Sequence, residues 1–171
     1  MESLNVISKV EKSTDWVNGM VIVEKPNGKL RICLDPRPLN KAIKRHHHPM
    51  PTVEEITAKM KGAKYFAKLD ASSGYWQIKV DEESADILTF SSPYGRYRFN
   101  RMPFGIKSAS EIFQREVEKI INGVKGAMNA QDDILIWGKT KIELQNRVEE
   151  VLKVVAESCL QLNKDKCVLC K

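Results

Sequence analysis

The 171-residue sequence predicts an α+β fold, and two observations support that prediction. Several short runs rich in β-branched and aromatic residues are paired across turn residues, whereas three other segments repeat apolar residues at helical spacing. These strands and helices do not follow one another in the regular βαβ order that a doubly wound parallel sheet requires. A split α+β arrangement is therefore the expected class.

The first third of the chain predicts a β-hairpin with a basic face. Strands are expected over 20–23 and 29–34, joined by the turn Pro26-Asn27-Gly28. Between residues 25 and 45 a single acid, Asp35, accompanies seven basic residues: Lys25, Lys29, Arg31, Arg37, Lys41, Lys44 and Arg45. Such a cluster can be a solvated face, or it can close over phosphates, because the arginine fork holds two phosphate oxygens.

The middle of the chain predicts one helix and several strands. Thr52 and Glu55 form a capping-box pattern that starts the helix, and Gly62 ends it. Strands are expected at four places: up to Asp70, over 75–80, over 87–90 and over 94–99.

From residue 109 onward the sequence predicts a helix, a hairpin and a second helix. Apolar side chains recur at helical spacing from Ala109 to Gly123. A second capping-box pattern, Thr140 with Glu143, opens a long amphipathic helix. Residues 160–170 are typical of the start of another strand.

The hairpin between these helices carries two adjacent carboxylates, Asp132 and Asp133. The following apolar run over 134–137 is short, β-branched and closed by Gly138, which is typical of a buried strand. Two ionised neighbours at the mouth of such a strand repel each other and lose solvation unless a cation lies between them. An Asp-Asp pair in a turn also has a purely structural interpretation, because Asp caps backbone N–H groups.

A third carboxylate, Asp70, favours the metal interpretation. It ends a predicted strand and precedes a turn, so it can lie beside a neighbouring hairpin. Three carboxylates converging from two adjacent strands make the oxygen site that Mg²⁺ prefers. Two such ions stabilise the attacking and leaving oxygens of a phosphoryl displacement. The pattern predicts phosphoryl transfer on a nucleotide, with three catalytic and metal-binding residues: Asp70, Asp132 and Asp133.

Composition limits the remaining function classes. The formal net charge of +6 favours a polyanionic partner, and 42% hydrophobic with 29% charged residues indicates a globular chain. No apolar run reaches transmembrane length and no signal peptide opens the chain, so we expect an intracellular protein, cytoplasmic or nuclear, without a membrane span. The four cysteines predict reduced structural thiols, and the run His46-His47-His48 predicts a solvated connector.

Four ordered motifs resemble those of a reverse transcriptase. They are Lys29-Leu30-Arg31-Ile32-Cys33-Leu34-Asp35-Pro36-Arg37-Pro38-Leu39-Asn40-Lys41, Leu69-Asp70-Ala71-Ser72-Ser73-Gly74-Tyr75-Trp76-Gln77-Ile78, Arg101-Met102-Pro103-Phe104-Gly105-Ile106 and Gln131-Asp132-Asp133-Ile134-Leu135-Ile136. Over nearly its whole length the chain is similar to the polymerase of gypsy-type long-terminal-repeat retrotransposons. The resemblance implies fingers at roughly residues 1–45 and 78–108, and a palm at 46–77 and 109–171, with an antiparallel sheet backed by helices. No thumb or ribonuclease H domain is expected within these residues.

The resemblance also implies roles for individual residues. The three carboxylates match the family's metal-binding catalytic positions, with two Mg²⁺ ions as cofactors and Mn²⁺ as a substitute. Six residues match nucleotide-binding positions: Lys25, Lys29, Arg31, Tyr75, Phe104 and Gly105. The first three lie in the hairpin that folds over the incoming triphosphate. Tyr75 matches the aromatic gate that excludes a ribose 2′-hydroxyl, with core packing as its alternative role.

The implied function is RNA-directed DNA polymerase, adding deoxynucleotides to a primer 3′-hydroxyl. The implied partners are an RNA or DNA template with its primer, deoxynucleoside triphosphates, and flanking thumb, ribonuclease H, protease and integrase domains of a parent polyprotein. No membrane partner is expected.

Three positions depart from the family pattern, and one of them is Ser110, where the family commonly has Pro. Ala130 stands where the family usually has Tyr, two positions before the first Asp of the pair. Cys159 stands where a Gly usually ends a helix, which predicts a cost of up to about 1 kcal/mol if the backbone there needs a positive φ. Ala130 and the expected lack of a thumb leave an alternative open: a weakened or inactive domesticated copy that acts as a nucleic-acid-binding or structural domain.

Overall fold

The computed structural model describes residues 1–24, 28, 30–44 and 47–169, and the chain divides into two compact units. The first unit contains residues 1–46 and 75–109, and the second contains residues 47–74 and 110–171. All pairings between the named strands are antiparallel, which confirms the predicted α+β class with antiparallel sheets. No helix in the described part of the chain is long and apolar enough to cross a membrane.

The first unit contains a three-stranded sheet and a separate two-stranded hairpin. Its strands are β1 (Ile7–Lys9), β2 (Gly19–Glu24), β3 (Leu30–Asp35), β5 (Thr89–Ser92) and β6 (Gly95–Phe99), and its helices are α1 (Arg37–Ala42) and α3 (Glu82–Ile87). The sheet has the order β1-β6-β5, and β2 pairs with β3. The core of this unit is formed around six buried side chains: Val6, Leu34, Leu39, Leu88, Phe90 and Phe99.

The β2-β3 hairpin forms where the sequence predicts it. Val23 lies opposite Arg31, and Met20 lies opposite Leu34. Because successive strand residues point to opposite faces, Arg31 and Leu34 lie on opposite faces of the hairpin. Leu34 is buried in the core, whereas Leu30 is 64% exposed near the tip. The predicted turn residues Pro26 and Asn27 lie outside the described residues.

The second unit contains one three-stranded sheet backed by helices. Its strands are β4 (Tyr65–Asp70), β7 (Ala127–Ala130) and β8 (Asp133–Gly138), in the order β4-β8-β7, and its helices are α2 (Val53–Lys59), α4 (Ala109–Ile121, beginning at the unit boundary) and α5 (Lys141–Glu157). Alternate residues of β4 and β8 are buried: Ala67, Leu69, Ile134 and Ile136. The helices contribute Phe113, Val117, Val151 and Val155 to the buried set.

The two predicted capping boxes differ in outcome. At the start of α2, the Thr52 hydroxyl oxygen accepts from the Glu55 N–H and the Glu55 carboxylate accepts from the Thr52 N–H, which confirms the box. At the start of α5, Thr140 accepts from the Glu143 N–H at 3.1 Å. The Glu143 carboxylate accepts instead from the N–H of Lys139, one residue before the cap, so half of the second box was wrong.

The predicted strand over 75–80 was wrong. The chain forms a 3₁₀ helix over Gly74–Gln77, preceded by Ser73 with a φ of 50°, and only Lys79 makes an isolated bridge. The alternating apolar residues Trp76 and Val80 pack against the core of the first unit. This packing does not require a strand. Helix α3 was not predicted; its N-cap is Asp81, whose side chain accepts from the Ser84 N–H.

Two further expectations need correction. The C-terminal segment forms isolated bridges at Leu162 and Val168 around a 3₁₀ turn over Lys164–Lys166, rather than a strand. Within the expected solvated connector, His47 is exposed as predicted, whereas His48 is half-buried and its Nε2 lies 2.6 Å from a Glu118 carboxylate oxygen. His46 and Cys170 lie outside the described residues. The remaining cysteines are free thiols, as predicted.

Candidate active site

The acidic hairpin of the second unit is formed as predicted. Strands β7 and β8 are joined by the two-residue turn Gln131-Asp132, and Ala130 lies opposite Asp133. Gln131 has a φ of 59°, and a positive φ at the first turn position is the pattern of a type II′ turn. Asp132 is therefore presented at the tip of the hairpin, and Asp133 is the first residue of β8.

The register of β4 and β8 brings Asp70 directly opposite Asp133. Since successive strand residues point to opposite faces, both carboxylates lie on the face of the sheet opposite the buried residue Ile134. The Asp70 side chain is 12% exposed, and that of Asp133 is 31% exposed. At the turn, the Ala71 N–H donates to the Asp132 carbonyl at 3.3 Å, which ties the end of β4 to the hairpin.

Two lysines neutralise these carboxylates. Lys68 Nζ lies 3.1 Å from both carboxylate oxygens of Asp133, and Lys166 Nζ lies 3.4 Å from Oδ2 of Asp70. In the described part of the chain, no group of three or more His, Cys, Asp or Glu side chains is arranged to hold a metal ion. The expected convergence of three carboxylates into a ready metal site is therefore not present in this arrangement. Lysine ammonium groups are paired with Asp70 and Asp133.

The donor set nevertheless fits a divalent cation. Two carboxylates facing each other on adjacent strands, next to a third in the turn, supply the hard oxygen ligands that Mg²⁺ binds. The two lysine ammonium groups beside Asp70 and Asp133 indicate that this face of the sheet attracts positive charge.

A buried glutamine that the sequence analysis missed holds the hairpin turn. Gln114 of α4 is fully buried, and its Oε1 accepts from the Gln131 N–H at 3.0 Å and from Asn129 Nδ2 at 2.9 Å. Its Nε2 donates to the Asn129 carbonyl at 2.9 Å and to Glu118 at 2.7 Å. Gln114 thus binds the residues on both sides of Ala130. The signal in the sequence was a polar residue inside the apolar stripe of a helix.

The predicted nucleotide-binding residues of the first unit meet at Phe104. The Tyr75 and Phe104 rings are 5.0 Å apart, and the guanidinium carbon of Arg31 lies 4.6 Å from the Phe104 ring centroid, within cation–π range. The Nε of Arg31 is buried and has no hydrogen-bond partner among the residues that the structure describes. Burial raises the pKa of the neighbouring Cys33 thiol, and the Arg31 charge lowers it in part. Lys25 and Lys29 lie outside the described residues.

The loop that contains Phe104 and Gly105 is held against β3 and α1. Leu34 N–H donates to the Phe104 carbonyl at 3.1 Å. Asn40 Nδ2 donates to the Gly105 carbonyl at 2.9 Å, and its Oδ1 accepts from the Lys107 N–H at 3.0 Å. Gly105 has a φ of 109°, and a Cβ there would lie 2.4 Å from the Leu34 carbonyl oxygen. Asn40 lies within one of the four sequence motifs, but no role was predicted for it.

The chain belongs to the reverse transcriptase (RNA-dependent DNA polymerase) family, which matches its residues 23–171. It is 34% identical over 149 residues to the enzymatic polyprotein of Figwort mosaic virus, covering 86% of this chain and 22% of that protein. It is 35% identical over 167 residues to the retrovirus-related Pol polyprotein from transposon 412 of Drosophila melanogaster, covering 92% of this chain and 14% of that protein. The chain therefore spans less than a quarter of the length of these relatives.

A solved structure shows the same fold. The foamy viral protease-reverse transcriptase in complex with double-stranded DNA superposes with a TM-score of 0.90 at 24% identity, covering 98% of this chain and 29% of that one. The family consists of reverse transcriptase domains of the kind found in retrotransposon and retroviral polyproteins.

Proposed function

We propose that this chain is the fingers and palm of an RNA-directed DNA polymerase, encoded in the polyprotein of a gypsy-type long-terminal-repeat retrotransposon. The observation that carries the proposal is the position of Asp70 opposite Asp133 on adjacent strands, with Asp132 in the connecting turn of the hairpin. Family membership supports it, and so do the relatives, which are polyproteins of a virus and a transposon. Thumb, ribonuclease H, protease and integrase domains are the flanking partners of such a polyprotein.

The second unit is proposed as the palm and the first unit as the fingers. Asp70, Asp132 and Asp133 are the residues that would hold the ions. Two Mg²⁺ ions, with Mn²⁺ as a substitute, would lower the pKa of the primer 3′-hydroxyl and stabilise the negative charge of the leaving pyrophosphate. The division of the chain at residues 46, 74 and 109 supports this assignment, because it falls close to the fingers and palm limits implied by the sequence.

The nucleotide-binding role of the fingers rests on residues grouped around Phe104. Arg31, with Lys25 and Lys29, would neutralise the triphosphate of a deoxynucleotide, since a guanidinium binds phosphate oxygens in pairs. Tyr75 would exclude the 2′-hydroxyl of a ribonucleotide. The loop at Gly105, which accepts a hydrogen bond from Asn40, keeps Phe104 in contact with Arg31 and Tyr75.

The proposed polymer substrate is an RNA or DNA template with its primer. Solved foamy viral relatives carry double-stranded DNA and an RNA/DNA hybrid. The formal net charge of +6 supports binding to the phosphate backbone, with an affinity that falls as salt rises.

Primer extension on an RNA template, with Mg²⁺ and deoxynucleotides, tests the proposal. We expect the chain to extend the primer, and the double variant Asp132→Asn/Asp133→Asn to lose extension. An Ala130→Tyr variant serves as the comparison, because Ala130 replaces the Tyr that the family usually has beside the primer end. Extension by Ala130→Tyr but not by the parent would show an intact site disabled by one substitution. Absence of extension in the parent and in Ala130→Tyr alike would contradict the polymerase function for this chain.

Ala130 favours a second candidate function. Its short side chain lies opposite Asp133, at the position where the family usually has an aromatic ring. A descendant that keeps the fold and binds nucleic acid without catalysis would retain salt-dependent template binding but show no extension.

A further inference from the structure

Lys68 is fixed on the same face of the palm sheet as the carboxylates. Its backbone pairs with Leu135 of β8 on one side and exchanges hydrogen bonds of 2.7 and 2.8 Å with Val168 on the other. Because residues two apart on a strand share a face, Lys68 and Asp70 point the same way, and Asp133 lies diagonally across from Lys68. A long side chain spans that diagonal.

The contact between Lys68 and Asp133 engages the whole carboxylate. Nζ lies 3.1 Å from both oxygens, and the two side chains are 39% and 31% exposed. Lys166 makes a looser contact with Asp70, through one oxygen at 3.4 Å, and its side chain is 64% exposed. Of the two lysines, Lys68 is therefore the better placed to compete for a carboxylate.

We propose that Lys68 is a built-in countercation, a positioning residue that holds Asp133 while no metal is bound and must release it when a divalent ion binds. Without a cation, Asp70 and Asp133 would face each other as like charges across adjacent strands, which is destabilising. With both oxygens of Asp133 on the ammonium group, an ion that takes Asp133 as a ligand has to displace Nζ and then tolerate a positive charge nearby. Lys68 thus stabilises the metal-free hairpin and lowers its affinity for metal.

This inference rests on the proposed metal-binding role of the carboxylates, and its test does not depend on polymerase activity. Mn²⁺ binding to the full chain, without nucleotide or nucleic acid, is measured by calorimetry. Lys68→Met removes the charge and keeps the length, Lys68→Gln is a second neutral variant, and Lys68→Arg keeps the charge. Lys166→Met is the matched neutralisation at the looser contact.

We expect Lys68→Met and Lys68→Gln to bind Mn²⁺ about tenfold more tightly than the parent, because one positive charge a few ångströms from a divalent ion is removed. Lys68→Arg should stay within about twofold of the parent, and Lys166→Met should show a smaller gain than Lys68→Met. The neutral Lys68 variants should also have a lower Tm than the parent without divalent ions, and Mn²⁺ should remove that difference.

Specific outcomes separate failure of this inference from failure of the proposed function. If Asp132→Asn/Asp133→Asn abolishes Mn²⁺ binding but neither neutral Lys68 variant binds more tightly, the countercation role of Lys68 is overturned. A Lys166→Met gain as large as that of Lys68→Met would also overturn it. If the double Asn variant binds Mn²⁺ as the parent does, the carboxylates are not the metal site, and both proposals fail. Near-ultraviolet circular dichroism checks that each variant is folded.

Discussion

Each unit uses one carboxamide side chain to hold a loop with a positive φ, but the two loops tolerate that backbone conformation differently. In the first unit, Asn40 binds the loop at Gly105, and glycine itself adopts a φ of 109° without strain. In the second unit, Gln114 binds the turn at Gln131, a residue with a side chain and a φ of 59°. The first loop therefore depends on the absence of a Cβ, whereas the second depends on a buried hydrogen-bond network.

Removing the network should have the largest effect. Gln114→Leu keeps the volume but removes the hydrogen bonds that Gln114 makes to the buried Asn129 side chain and carbonyl and to the part-buried Gln131 N–H. We expect the free energy of unfolding, measured by urea denaturation, to fall by about 4 kcal/mol, since each unsatisfied buried group costs about 1–3 kcal/mol.

Gln145 of α5 provides the control for that substitution. It is exposed and its amide nitrogen donates to Glu149 on the helix surface, so Gln145→Leu should change stability by less than about 0.5 kcal/mol. A Gln114→Leu variant as stable as Gln145→Leu would show that the network does not hold the turn.

Adding a methyl group to Gly105 should have the next largest effect. Gly105→Ala combines an unfavourable φ with a Cβ only 2.4 Å from the Leu34 carbonyl oxygen, so we expect a loss of about 3 kcal/mol in urea denaturation. Gly123 has a φ of 92°, but in the described part of the chain no atom beyond its chain neighbours lies within 4 Å of its Cβ position, so Gly123→Ala should cost only about 1 kcal/mol. Equal losses would mean that φ alone, and not the close approach to Leu34, restricts residue 105.

The smallest effect concerns a third positive-φ position, which has neither a glycine nor a buried network. Cys159 follows α5 with a φ of 56°, and its N–H donates to the Ala156 carbonyl at 3.2 Å. Cys159→Gly should raise the free energy of unfolding by about 1 kcal/mol, because glycine adopts this conformation without the Cβ penalty. Cys159→Ala, which removes the thiol but keeps the Cβ, should give no such gain. A similar gain from alanine would assign the effect to the thiol rather than to the backbone.

Local chemistry explains what the sequence by itself determined. The Thr52 cap, the helix from Ala109 and the Asp-tipped hairpin were all predicted, because capping groups, apolar periodicity and strand-turn-strand patterns act over a few residues. The sequence predicted a stability cost at Cys159 if the backbone there has a positive φ, and φ at Cys159 is positive. The three carboxylates and the family followed from short motifs in a fixed order.

Only the tertiary structure decided which long-range partners hold these motifs in place. Gln114 reaches Gln131 over 17 residues, Asn40 reaches Gly105 over 65, and Lys68 reaches Asp133 over 65. The segment over 75–80 has alternating apolar residues, yet it begins as a 3₁₀ helix instead of a strand. Burial of these residues against a core, rather than strand pairing, selects the conformation of such a segment. Local patterns set what each segment can form, and contacts between distant residues select among those forms and place the charges on one face of the sheet.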